Sequence, residues 1–119
     1  MSGIMSDILW ADPQPFKGRG PSKRGVGLSF GPDVTAQFLA DNGLEMVVRS
    51  HEVRDEGFLV EHDGKLVTIF SAPNYCAQMG NKGGIIHFTP DMKPTYVKFT
   101  AVAHPPIRPM AYAGNMFGF

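Results

Sequence analysis

An Asp-Gly pair between two apolar runs is the strongest constraint on the fold of this 119-residue chain. The runs cover residues 57–62 and 65–70, and Asp63-Gly64 lies between them. An Asp-Gly pair in this position is among the strongest local signals for a tight turn between paired strands. The pattern therefore predicts an antiparallel β-hairpin near the middle of the chain.

Helix and strand signals on either side of the hairpin predict an α+β fold. Pro32-Asp33 suits the first turn of a helix, and Asn42-Gly43 is a typical helix end. Residues 44–49 then predict a mostly buried strand, and residues 84–88 and 95–100 predict two more strands. We therefore expect one helix and about five strands, mostly antiparallel in the second half of the chain.

Two segments rich in proline and glycine predict irregular structure. Residues 13–27 predict a loop, and residues 103–119 predict a tail that runs over a surface. The whole length, residues 1–119, is that of one domain.

The composition limits the partners of the chain. Acidic and basic residues number 11 each, so no net charge favours nucleic acid or an anionic membrane. No apolar run reaches about 18 residues, so we expect no membrane span. A single cysteine, Cys76, suits a reducing compartment, and we expect a cytoplasmic and/or nuclear location. Charged residues make up only 18%, which predicts that part of the surface is covered.

Four residues are candidates for chemistry, and each has a plainer alternative. His51 follows the strand predicted at residues 44–49, and is either a metal ligand or a strand-end histidine bonded to the backbone. Arg24 could bind two phosphate oxygens through its planar guanidinium, or belong to a solvated basic loop. Tyr75 could donate to a bound oxyanion or wedge its loop against the sheet. Asp12 could orient a ligand or cap a turn.

Two further residues have only a structural interpretation. Cys76 is expected to be a small buried or half-buried thiol rather than a nucleophile, since nothing near it in sequence would clearly activate it. His62 lies beside the Asp-Gly turn and is expected to be an exposed hairpin residue.

Several stretches together resemble one family. They are Leu9-Trp10-Ala11-Asp12-Pro13-Gln14-Pro15, Lys23-Arg24-Gly25-Val26, Phe30-Gly31-Pro32-Asp33-Val34, Arg49-Ser50-His51-Glu52-Val53 and Phe70-Ser71-Ala72-Pro73-Asn74-Tyr75-Cys76. Their order and spacing are similar to those of the PPP family of metal-dependent serine/threonine protein phosphatases. Residues 78–82 and the tail at residues 99–113 resemble its type-5 branch.

The resemblance implies a role for each of the four candidates. His51 would bind one metal of a two-metal centre, with Mn or Fe/Zn as the ions. Arg24, Tyr75 and Asp12 would line the place of the substrate phosphate, with Arg24 gripping it. The family hydrolyses phosphoserine and phosphothreonine in proteins with a metal-activated water. Residues 1–119 would be the C-terminal part of a calcineurin-like metallophosphatase β-sandwich flanked by helices.

The chain also departs from the family pattern. The motifs Gly-Asp-x-His-Gly, Gly-Asp-x-Val-Asp-Arg-Gly and Gly-Asn-His-Glu, which carry the other metal ligands and the general-acid histidine, do not occur in it. We therefore expect the chain to be inactive alone and to need the N-terminal half of the catalytic domain. We also expect the helical-repeat domain, through which the type-5 branch would bind a chaperone, to lie outside these 119 residues. The expected partners are phosphoprotein substrates, with no nucleic acid and no membrane. The alternative is a non-catalytic relative that acts as a protein-binding module.

Overall fold

A computed structural model describes residues 3–108 of the chain. The first part of the chain contains α1 (Ile4–Trp10), β1 (Asp12–Pro13), β2 (Arg19–Pro21), β3 (Leu28–Phe30) and α2 (Pro32–Asn42). The second part contains β4 (Val47–Arg49), β5 (Phe58–Glu61), β6 (Leu66–Ile69), a 3₁₀ turn (Tyr75–Ala77), β7 (Gly83–Phe88) and β8 (Pro94–Phe99). Residues 109–113 of the type-5 resemblance and residues 109–119 of the expected tail lie outside the described residues.

The predicted hairpin is confirmed and forms the core of the central sheet. β5 and β6 pair antiparallel, with Phe58 opposite Ile69 and Glu61 opposite Leu66. β4 lies on the other side of β6 and pairs with it in parallel. Because β6 has a neighbour on both sides, its residues Leu66, Val67 and Thr68 are fully buried.

The strand predicted as mostly buried at residues 44–49 is shorter and more open than expected. It begins only at Val47, and Val48 is 47% exposed. The physical reason is its place at the edge of the sheet, where it has a neighbouring strand, β6, on one side only. Apolar composition alone does not distinguish an edge strand from a central one.

The prediction of an irregular loop at residues 13–27 is partly wrong. β2 lies inside this segment and pairs antiparallel with β3, while β1 pairs in parallel on the other side of β3. Pro21 can end β2 because an edge strand does not need every backbone N–H for the ladder. The small sheet of β1, β3 and β2 holds the segment that carries Asp12.

The predictions of the helix at Pro32 and of the two last strands are confirmed. α2 begins at Pro32 and ends before Gly43, which adopts the left-handed conformation at φ 62°. β7 and β8 correspond to the two strands predicted at residues 84–88 and 95–100, and they pair antiparallel as a second hairpin. The seven-residue helix α1 was not predicted. It ends at Trp10, ahead of Pro13, since the residue before a proline avoids helix.

The α+β class is confirmed. Residues 3–108 form two α-helices and eight strands in three small sheets, and most of the strand pairings are antiparallel. The described residues contain no helix of the length and hydropathy that a membrane crossing requires. The parallel pair β4–β6 has a functional consequence, because it brings the loops that follow both strands to the same edge of the central sheet.

Candidate functional site

Two of the sequence motifs meet at the edge of the central sheet. Ser50 and His51 follow β4, and Ser71 follows β6, its parallel neighbour. The Ser50 hydroxyl donates to the carbonyl of Ile69 at 2.6 Å and so ties the two strand ends together. Loops placed by a rigid sheet in this way are common positions for functional residues.

Asp12 is a buried carboxylate held between two arginines. It is 6% exposed. Its Oδ2 accepts from Arg24 Nε at 2.7 Å, and its Oδ1 accepts from Arg24 Nη2 at 3.3 Å. Oδ1 also accepts from Arg49 Nη2 at 2.8 Å. Asp12 therefore orients two guanidinium groups.

One amino group of Arg24 has no hydrogen-bond partner among the described residues. The fork formed by its Nε and Nη2 is occupied by Asp12, and Nη2 also donates to the backbone carbonyl of His51 at 3.1 Å. Within residues 3–108, Nη1 makes no hydrogen bond, and the side chain is 25% exposed. Binding of an anion at Nη1 would thus leave the contact with Asp12 intact.

His51 presents an exposed imidazole on a strained backbone. Its φ is 83°, a left-handed value that non-glycine residues rarely adopt. Its ring lies edge-on to Trp10 with 6.3 Å between the ring centroids. Among the described residues the ring makes no hydrogen bond, so the alternative of an imidazole bonded to the backbone gains no support. Strain of this kind concentrates at functional sites.

His51 does not form a metal centre with its neighbours. Nowhere in the described part of the chain do three His, Cys, Asp or Glu side chains come close enough to hold an ion. The nearby carboxylate of Asp12 is already engaged by Arg24 and Arg49. A metal centre that uses His51 would therefore need ligands from beyond these residues.

Tyr75 lies in a separate loop. It is 46% exposed and packs edge-on against Phe70 with the ring centroids 5.1 Å apart. No hydrogen bond of the described residues joins it to Asp12, Arg24 or His51. The next residue, Cys76, is exposed, so the expectation of a buried or half-buried thiol is wrong. The cause is the tight turn, where Cys76 takes a φ of 57° and lies at the surface.

Arg49 belongs to the same charged cluster and was not predicted as a site residue. The sequence places it two residues before His51. Besides Asp12, it donates through Nη1 to Glu52 at 2.6 Å and to Thr68 at 3.0 Å. Arg54 also donates to Glu52, at 3.0 Å. The Arg-x-x-Glu spacing was the signal that could have suggested this charged network.

His62 is buried, which corrects the expectation of an exposed hairpin residue. It is 8% exposed, and its Nε2 donates to the carbonyl of Gln14 at 2.8 Å. Its Nδ1 then accepts from the Thr35 hydroxyl at 2.8 Å. The hairpin turn packs down onto α2 and the β1 loop, and His62 links the two. Sequence position next to a turn could not reveal this packing.

An open apolar groove borders the candidate site. It has a volume of about 860 Å³, and Arg49, Ser50 and His51 lie along its wall. Its apolar walls come from both helices and from β4. They include Ile8, Leu9, Trp10, Val34, Phe38 and Val48.

Comparisons with known proteins find similarity to serine/threonine-protein phosphatases. No protein-family model matches the chain. It is 69% identical over 114 residues to serine/threonine-protein phosphatase 5 of Arabidopsis thaliana, covering 95% of this chain and 21% of that protein. It is 60% identical to serine/threonine-protein phosphatase T of Schizosaccharomyces pombe, over 97% of this chain and 24% of the relative. The human serine/threonine-protein phosphatase 5 is 57% identical, over 97% of this chain and 23% of its own length.

A solved structure agrees with the same relationship. It is a protein serine/threonine phosphatase from Saccharomyces cerevisiae, described as similar to human phosphatase PP5. The TM-score is 0.85 at 48% identity, over 93% of this chain and 38% of that chain. The resemblance drawn from the sequence motifs is thereby confirmed. The chain spans about a fifth to a quarter of the length of these curated relatives.

Proposed function

Since the chain is related by sequence and by fold to serine/threonine protein phosphatases, we propose that it supplies one side of a site that hydrolyses phosphoserine and phosphothreonine in proteins. The observation that carries this proposal is the cluster of Asp12, Arg24 and His51. Three residues far apart in sequence meet there through hydrogen bonds of Arg24 to Asp12 and to the His51 carbonyl.

Arg24 is proposed to bind the phosphate of the substrate. Its guanidinium is fixed by Asp12, and its Nη1 is left to donate to a phosphate oxygen. A donor that is already oriented loses little side-chain entropy on binding, which favours the bound state. A charge-assisted bond of this kind is about twice as strong as a neutral one.

His51 is proposed to be one ligand of a two-metal centre. Its ring is exposed, and the residue is held in a strained conformation beside Arg24. The other ligands would come from polypeptide beyond the described residues. When bound, the ions supply an activated water and stabilise charge on the phosphoryl oxygens. The contributions of this chain are to orient His51 and to hold the phosphate against it.

On the same proposal, the 119 residues have no phosphatase activity on their own. Phosphate-monoester hydrolysis needs acceleration of up to about 10²¹-fold, which a single histidine and arginine do not supply. The partners are then phosphoprotein substrates and the polypeptide that completes the metal centre. The apolar groove beside His51 favours the alternative candidate, a protein-binding module without catalysis.

A segment exchange tests the proposal. The matching segment of Arabidopsis phosphatase 5 is replaced by this chain, and turnover of a phosphoserine peptide is measured with Mn²⁺. We expect the chimera to be active and the isolated chain to be inactive. His51→Ala and Arg24→Ala in the chimera should each lower kcat/KM by at least about 100-fold.

His87→Ala serves as the matched control, since His87 lies exposed on β7. It should leave turnover unchanged. A folded chimera without turnover would overturn the catalytic proposal and leave the binding module as the better account. Turnover by the isolated chain would overturn the expectation that a completing polypeptide is required.

A further inference from the structure

We infer that Asn81 is the positioning residue of the Tyr75 loop, and that it fixes where the tyrosine side chain stands beside Phe70 at the end of β6. The inference rests on the proposed function, to which the family resemblance adds Tyr75 as a residue that lines the place of the substrate phosphate. The role of Asn81 itself rests on its hydrogen bonds. Asn81 precedes β7 and was not singled out as a site residue from the sequence.

The Asn81 side chain is buried and uses both ends of its amide. It is 4% exposed. Its Oδ1 accepts from the backbone N–H of Tyr75 at 2.8 Å. Its Nδ2 donates to the carbonyls of Ala72 and Lys82, both at 2.9 Å. One amide therefore holds the start of the loop, its middle and the residue that leads into β7.

Backbone bonds close the same loop. The carbonyl of Asn81 accepts from the N–H of Asn74 at 2.8 Å. The Asn74 side chain in turn accepts from the N–H of Gly80 at 3.0 Å. The loop is thus anchored at its base to Asn81, and Tyr75 has a direct bond to the buried amide.

The loop needs such an anchor because its backbone is strained. Asn74, Cys76 and Ala77 have φ values of 47°, 57° and 57°. Left-handed conformations at Cys and Ala are unfavourable and persist only where surrounding contacts determine them. The residues around Tyr75 are mostly exposed, so packing supplies little of that determination. The buried amide of Asn81 supplies it instead.

Asn81→Asp is the sharpest test, because it keeps the shape of the side chain. The carboxylate still accepts from the Tyr75 N–H, but it places an oxygen opposite the carbonyls of Ala72 and Lys82. Hydrogen exchange of the full chain should show the Tyr75 amide exchanging about 10- to 100-fold faster, as expected when buried polar groups lose their partners. The Thr68 amide in the core strand should keep its rate.

Asn42→Asp is the matched control, since the Asn42 side chain is exposed at the end of α2. It should leave the Tyr75 amide unchanged. An unchanged Tyr75 rate in Asn81→Asp would overturn the inference. So would equal acceleration at Tyr75 and Thr68, which would show a general loss of stability.

A double-mutant cycle in the phosphatase 5 chimera separates positioning from mere structure. Asn81→Asp should lower kcat/KM, and it should have no further effect when Tyr75 is already changed to Phe. Equal effects in both backgrounds would overturn the role through Tyr75. Faster exchange at Tyr75 in a chimera without turnover would still support the loop anchor, and it would overturn only the proposed function.

Discussion

At the scale of single residues, the site is organised by one buried carboxylate. Asp12 accepts hydrogen bonds from both Arg24 and Arg49, whose side chains are 25% and 14% exposed. Without it, Arg24 would lose its ion pair among the described residues, and Arg49 would keep only Glu52 as a counter-charge. Asp12 therefore holds both arginines, and its place beside the substrate phosphate stays a prediction.

Asp12→Asn should destabilise the chain by about 2 kcal/mol, because three hydrogen bonds from two arginines lose their acceptor charge. Urea unfolding followed by the fluorescence of Trp10, the single tryptophan, measures the change. Asp63→Asn in the exposed hairpin turn is the control and should be within about 0.5 kcal/mol of the parent. Equal urea midpoints for the two variants would contradict the conclusion that Asp12 holds the two arginines.

The residues of this cluster were predicted individually, but their connections were not. His51, Arg24 and Asp12 are recognisable from the motifs around them. The bond from Arg49 to Asp12 joins residues 37 apart in sequence, and the bond from His62 to Gln14 joins residues 48 apart. Such contacts are products of tertiary packing. No local pattern of residue types encodes them.

At the scale of elements, local signals decided what could be predicted. The two hairpins and α2 have turn or cap residues next to a periodic apolar segment, and all three were predicted. β2 has no apolar pattern and forms only because β3 lies beside it. β4 looks buried by composition but lies at a sheet edge. The existence of β2 and the exposure of β4 could be predicted only from the whole fold.

Two glycines test how closely the central sheet and the second hairpin approach each other. Gly57 and Gly64 have nearly equal φ values, 82° and 80°. A Cβ at Gly57 would lie 2.5 Å from the backbone of Gly83, whereas a Cβ at Gly64 would meet nothing within 4 Å.

Both substitutions by alanine incur the left-handed strain, and only Gly57→Ala also overpacks. We expect Gly64→Ala to cost about 1 kcal/mol and Gly57→Ala about 3 kcal/mol. Denaturant midpoints of the two variants measure the difference. Equal costs would mean that the sheets do not approach as closely as described.

At the scale of the whole molecule, much apolar surface remains in contact with solvent. Ile8 is 74% exposed, Leu9 58% and Phe38 52%, and all three border the groove beside the site. Contiguous apolar surface of this kind usually marks an interface. The low fraction of charged residues, 18%, agrees with this, since the solvent-exposed surface of a globular protein usually carries more of them.

Folding lowers the pKa of three exposed carboxylates and so favours their charged form. The pKa of Glu56 is lowered from 4.5, first by its hydrogen bond from Lys98 and then by Lys82. The backbone N–H of Gly18 lowers the pKa of Asp33 from 3.8, and the Thr89 hydroxyl does the same for Asp91. Glu56 links different parts of the fold, since it contacts Lys82 before β7 and Lys98 on β8.

Because these pKa values are lowered by folding, the unfolded chain binds protons first as the pH falls. Their stabilising contribution is complete above the ordinary values of 4.5 and 3.8 and is lost as the pH falls through the lowered values. Stability should therefore decrease below about pH 4.5. Glu56→Gln should flatten that decrease, whereas Glu45→Gln, at an exposed position, should not. Urea midpoints between about pH 3 and pH 6 measure the slopes, and equal slopes for both variants would show that the lysine contacts of Glu56 are absent in solution.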